Sequence, residues 1–170
     1  MEEIEIIEKE IGDVIEIEER VPVWKMPSAM GRDFNLILEY LKSKGVDCKE
    51  APYARYLDID WDQEMKKGAF ANFISMFTKQ WHFQAGMPVS KKIQGKNSLI
   101  DRQIQNKKYI KTIHYGSYQK VGSTYKKMYD WARTQDFSFE NESTEFYLND
   151  PKDTKKESLK TMVLIPVVNK

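Results

Sequence analysis

Tyr56-Leu57-Asp58 and Tyr147-Leu148-Asn149 are the stretches whose reading decides the fold, because each follows the same opening at the same distance. Gly31-x-x-Phe34 precedes the first and Gly122-x-x-Tyr125 the second. Tyr56 lies 25 positions after Gly31, and Tyr147 lies 25 positions after Gly122 (56 − 31 and 147 − 122). Each unit then closes on Pro-Val, at Pro88-Val89 and at Pro166-Val167. The last spacing differs, 32 positions in the first unit and 19 in the second (88 − 56 and 166 − 147), so the first carries 13 extra residues. Internal symmetry of this kind marks a duplicated architecture.

The patterning around these landmarks supplies the elements. Glu3–Lys9 and Val14–Val21 alternate apolar and charged residues, as strands with one wet face do. Ser28 reads as a helix N-cap. Phe34, Ile37, Leu38 and Leu41 follow at helical spacing, and Gly45 closes the helix. Residues 53–59 and 81–89 read as strands. Between them Met65, Phe70, Phe73 and Phe77 fall on one face of a helix over 64–77, the size of the insertion. Residues 90–108 are polar and read as the connection between halves. Tyr109–Tyr115 is a strand, 119–134 a helix with Val121, Tyr125, Met128, Tyr129 and Ala132 on its apolar stripe, and 144–149 and 161–167 are strands. The expected fold class is α+β. It is a duplicated strand-helix-strand-strand unit with an antiparallel sheet, helices on one side and a central groove. One domain over 1–170 is expected, with halves of about 1–90 and 109–170.

Composition narrows the function. The chain has 170 residues, enough to bury roughly 70% of its unfolded surface without a disulfide or a metal. Its one cysteine, Cys48, excludes an internal disulfide and a cysteine-rich zinc site. Lys and Arg total 27 against 26 Asp and Glu, so no global charge draws the chain to nucleic acid or an anionic membrane. There is no signal-peptide pattern and no apolar run of about 18 residues, so a cytoplasmic location is expected. His82 and His114 have no Cys, Asp or Glu partner at metal-ligand spacing and read as structural. No phosphate-binding glycine loop and no nucleophile motif is found, so no cofactor and no metal is expected. The excess lies in aromatics: four Trp, nine Tyr and eight Phe, many in strands beside charged residues. Rings with polar tips suit pocket walls.

Four segments, Phe83-Gln84-Ala85-Gly86-Met87-Pro88-Val89, His114-Tyr115-Gly116-Ser117-Tyr118, Glu145-Phe146-Tyr147-Leu148-Asn149-Asp150-Pro151 and Leu164-Ile165-Pro166-Val167, resemble in order the GyrI-like small-molecule-binding family. That family includes effector domains of AraC- and MerR-type multidrug regulators and stand-alone proteins. The resemblance implies a groove lined with aromatics around a central glutamate that meets lipophilic cations. Glu145 matches that glutamate, and Tyr118 and Tyr147 match its tyrosines. Glu145 shares a strand face with Tyr147. Trp81 and Phe83 share another, and Tyr56 lies on the pseudo-symmetric strand. These six are the candidate ligand-binding residues.

A sensor or sequestering protein for small amphipathic cations is the leading expectation. Some relatives hydrolyse electrophilic cyclopropane-containing toxins, which would make Glu145 and Tyr118 catalytic here. Others act as gyrase-inhibitory interaction modules, with the Phe-rich helix as docking face. No helix-turn-helix is read, so a DNA-binding regulator is not expected.

Overall fold

The computed structural model describes residues 3–66 and 80–169. The strands are β1 (Glu5–Lys9), β2 (Gly12–Pro22), β3 (Tyr53–Tyr56), β4 (Gln80–Pro88), β5 (Ile100–Ile104), β6 (Lys107–Tyr115), β7 (Phe137–Phe139), β8 (Ser143–Tyr147) and β9 (Lys160–Asn169). Helices α1 (Met26–Ser43), α2 (Trp61–Lys66) and α3 (Val121–Ala132) interrupt them. Of the helix expected over 64–77, residues 64–66 belong to α2, while Phe70, Phe73 and Phe77 lie outside the described residues. No described helix is long and apolar enough to cross a membrane.

All pairings are antiparallel, and the strand order is β1-β6-β9-β8-β3-β4-β2-β5, with β7 beside the end of β9. The duplication is visible in that order. β2, α1, β3 and β4 form one unit and β6, α3, β8 and β9 the other, with β3 and β8 paired at the centre. The polar 90–108 segment does more than connect, because β5 within it pairs with β2. Glu5 pairs with Lys111 and Glu16 with Ile100, equal steps along both chains (16 − 5 and 111 − 100). Thus β1–β2 and β5–β6 form one ribbon in unbroken register that ties the two ends of the curled sheet together.

One face of this half-barrel carries the helices. The sheet-facing stripe of α1 is Met26, Ala29, Asp33, Ile37 and Leu41, and Ile37 and Leu41 pack on Ile15, Ile17, Met87 and Val89. Each such aliphatic side chain contributes about 1.5–3 kcal/mol by leaving water. Pro27 occupies the first turn of α1, and the Ser28 hydroxyl donates to the Lys25 carbonyl, so Ser28 is not the expected N-cap. At the other end Gly45 has φ +59°, and the Val46 and Gly45 amides donate to the Leu41 and Lys42 carbonyls, a Schellman closure.

The opposite face curls around its own core of Ile11, Val14, Tyr53, Ile104, Tyr109, Phe146 and Leu164, drawn from strands at both ends of the order. This corrects the reading of β2 as a strand with one wet face. Glu16 is fully buried inside the curl, where Tyr53 Oη donates to it at 2.7 Å and Arg102 Nε lies at 2.9 Å. Burial pushes the Glu16 carboxyl above its ordinary range, against the pull of Arg55 and Tyr53.

Candidate functional site

The site is built where the two units meet. On β8 the alternation sends Ser143, Glu145 and Tyr147 to the helix face and Thr144 and Phe146 to the interior. On β3 it sends Ala54 and Tyr56 to the helix face. Ala54 stands directly opposite Glu145 across the central pairing, so the two equivalent positions of the duplication meet there, one carrying a methyl group and the other a carboxylate. Tyr56 and Tyr147, the matched tyrosines, come together with hydroxyls 3.3 Å apart.

Glu145 is 4% exposed. Tyr125 Oη of α3 donates to its Oε1 at 2.8 Å and lies 3.0 Å from Ser143 Oγ. Tyr147 Oη donates to Oε2 in a long contact of 3.4 Å. Burial raises the Glu145 pKa to about 7, and the hydroxyls of Tyr125, Tyr147 and Tyr56 offset only part of that. Desolvation outweighs three phenol donors because none of them brings a positive charge. Burial and the adjacent carboxylate push Tyr56 and Tyr125 well above the ordinary tyrosine value.

A cavity of about 450 Å³ opens in front of this carboxylate. Tyr56, Tyr125, Trp61 and Trp81 give it ring walls, Ile59, Val23 and Val121 give it aliphatic ones, and Met26 and Met65 add adaptable side chains. Glu64 and Lys126 also border it. Trp81 stands edge-on to Tyr56, centroids 5.9 Å apart. Trp61, at the start of α2, lies 5.8 Å from the Tyr125 ring and anchors its indole N–H on the Glu140 carbonyl at 2.8 Å. An indole held at one end by a backbone acceptor is a rigid wall.

Of the six residues singled out in the sequence, Glu145, Tyr56 and Trp81 line the cavity. Tyr147 stands behind them and contacts Glu145 through its hydroxyl. Tyr118 packs edge-on against the Tyr147 ring at 5.4 Å, one layer further out. Phe83 is fully buried in the core with Met26, Ala29 and Ala85 rather than on the cavity wall. Sequence reasoning placed Tyr125 on an apolar stripe and did not single out Trp61. A signal for Tyr125 existed: it is the position matched to Phe34, and the added hydroxyl has a use only if a polar group faces it. His114 bonds Thr124 Oγ1 at 2.8 Å, and His82 lies 2.7 Å from Asp58 and 2.8 Å from Glu18, so both rings are held by protein partners.

Solved structures share this architecture at low identity. The EcmrR chain in its complex with DNA superposes with a TM-score of 0.74 at 18% identity, over 98% of this chain and 58% of that one. This chain therefore spans little more than half of that EcmrR chain, but it matches 99% of the isolated EcmrR C-terminal domain, with a TM-score of 0.67 at 18% identity over 98% of its own length. SAV2435 bound to tetraphenylphosphonium gives 0.61 at 11% identity, over 96% of this chain and 94% of that one. A hydrolase encoded by lin2189 from Listeria innocua gives 0.64 at 11% identity, over 96% and 91%. No curated protein matches significantly. The family model of the GyrI-like small molecule binding domain matches residues 62–168, and the chain belongs to that family.

Proposed function

We propose that the cavity binds lipophilic organic cations, with Glu145 as counter-ion and the rings of Tyr56, Tyr125, Trp61 and Trp81 as walls, and that the protein acts as a sensor or sequestering module for them. One observation carries this reading. A carboxylate buried at the back of an aromatic cavity has hydroxyl donors but, among the described residues, no cationic hydrogen-bond partner. A cation with an apolar periphery supplies the missing charge and gains the ring faces as well. The tetraphenylphosphonium complex of SAV2435 supports the same ligand class.

The test is calorimetry with tetraphenylphosphonium and a neutral compound of similar shape on the wild type and Glu145→Gln. A charged contact of this kind is worth about 1.5–3 kcal/mol, so the cation should lose about ten- to a hundredfold in affinity while the neutral compound changes little. Equal losses for both would reduce Glu145 to a strand residue.

A hydrolytic reading has one observation in its favour: a carboxyl titrating near neutrality beside a phenol donor is suited to activate water. In this geometry the donor is Tyr125 rather than Tyr118. Turnover of an electrophilic substrate that is lost in both Glu145→Gln and Tyr125→Phe would select this reading over simple binding.

A further inference from the structure

The polar atoms behind the cavity form a chain that can hold Glu145 in either charge state. Ser143 Oγ, Tyr125 Oη and Glu145 Oε1 are linked at 3.0 and 2.8 Å. Glu145 Oε2, Tyr147 Oη and Tyr56 Oη are linked at 3.4 and 3.3 Å. With an ionised carboxylate, Tyr125 and Tyr147 both donate inward. With a neutral acid, Oε2–H donates to Tyr147 Oη, whose own proton turns to Tyr56 Oη or to Met30 Sδ at 3.8 Å, while Tyr125 still donates to Oε1. A hydroxyl is both donor and acceptor and reorients by rotation, so both states are satisfied without moving a heavy atom.

The groups facing Glu145 do not fix its charge. Tyr125 from α3, Tyr147 from β8 and Tyr56 from β3 are the titratable neighbours that act on it, and all three are phenols held neutral by burial. Tyr118 lies beyond Tyr147. Lys126, on the cavity border, is paired with Asp130 at 2.8 Å, and Glu64 on that border is acidic. A buried carboxyl whose partners among the described residues are all neutral is held chiefly as the acid below about neutral pH.

We propose that the cavity exchanges a proton for its ligand: the free site holds Glu145 as the neutral acid, and the entry of one lipophilic cation breaks its O–H bond and releases that proton to solvent. The carboxylate electron pair then faces the cation, and the net charge of the site is the same before and after. This inference rests on the cation-binding reading of the same cavity. It makes occupancy a function of the ratio of cation to proton, and it excludes neutral ligands from the coupling.

The experiment is titration of the protein with tetraphenylphosphonium in buffers of different ionisation enthalpy at several pH values, with Glu145→Gln in parallel. Proton release should approach about one per bound cation near pH 6, fall to about half near pH 7 and vanish near pH 9, and the variant should release none. Cation binding without Glu145-dependent release would overturn the exchange and leave the binding reading standing. No binding at all would overturn both. A readout free of ligand is the ¹³C titration of the Glu145 side-chain carboxyl in the empty protein: a midpoint near neutrality is expected, and one below about 5 would overturn the exchange.

Discussion

The ring of Tyr53 lies across the backbone of Gly86: a Cβ added there would sit 2.4 Å from Tyr53 Cζ and 2.5 Å from its Oη. Gly86 pairs with Tyr53 on one side and with Glu16 on the other. The missing side chain is what lets the phenol cross β4 and reach the buried Glu16. Gly86→Ala should therefore cost about 2–4 kcal/mol, by displacing the ring and leaving Glu16 short of a donor. Tyr53→Phe keeps the ring and loses only the hydroxyl, for about 1–2 kcal/mol. Urea denaturation of both variants checks the order. An Ala variant as stable as the wild type would show that the interior relaxes freely.

That contact also shows how far the sequence could be read. Phe83–Val89 was legible as a strand, and its order among four segments pointed to the right family. Alternation alone could not tell which face was outside, because here neither is: Phe83, Ala85 and Met87 pack towards α1, and Gly86 faces a second core. Charged alternation in β2 looked wet for the same reason, since the partners that bury Glu16 stand 37 and more positions away. The duplication was legible because spacing along a chain survives without knowledge of the third dimension. Tyr125 was marked only by its match to Phe34, because a tyrosine on an apolar helical stripe is usually core, and the approach of β8 is what gives its hydroxyl a partner.

Burial of Glu145 should be visible in stability. An unfolded glutamate ionises near pH 4.5, whereas the folded one does so near 7. The folded state therefore binds more protons between these values. Its contribution is fully present below the lower value and is lost as pH rises through the upper one. A shift of this size corresponds to about 3 kcal/mol. Glu145→Gln removes the titration, so the stability of wild type minus variant should fall by about that amount from pH 4 to pH 8. Other buried acids such as Glu16 and Asp33 cancel in the difference. A flat difference would place the carboxyl in contact with solvent.

Tyr125 is the strongest single restraint on that carboxyl, because its bond to Oε1 is the shortest. Tyr125→Phe deletes a donor to the charged form and should raise the Glu145 midpoint by about one unit. Tyr147→Phe removes a contact of 3.4 Å and should raise it less. Carboxyl ¹³C titrations of the two variants give the ranking directly, and the reverse order would mean that the carboxylate leans towards Tyr147 and away from α3.

Three of the four tryptophans offer a way to locate the ligand. Trp61 and Trp81 line the cavity, whereas Trp24 does not line it and is 58% exposed with Lys25 over its ring. An aromatic cation seated against Glu145 comes within contact of the first two and changes their emission by stacking and by its charge. Trp81→Phe should therefore remove a large part of the ligand-induced fluorescence change, and so should Trp61→Phe, although the latter also frees the Glu140 carbonyl and loosens α2. Trp24→Phe should leave the change nearly whole. The affinity of Trp81→Phe should drop only a few-fold, since a ring face is retained. The outcome that would sink the site is a signal that survives both cavity substitutions and disappears with Trp24, because the ligand would then be sitting on the surface turn before α1 and not in front of the buried carboxylate.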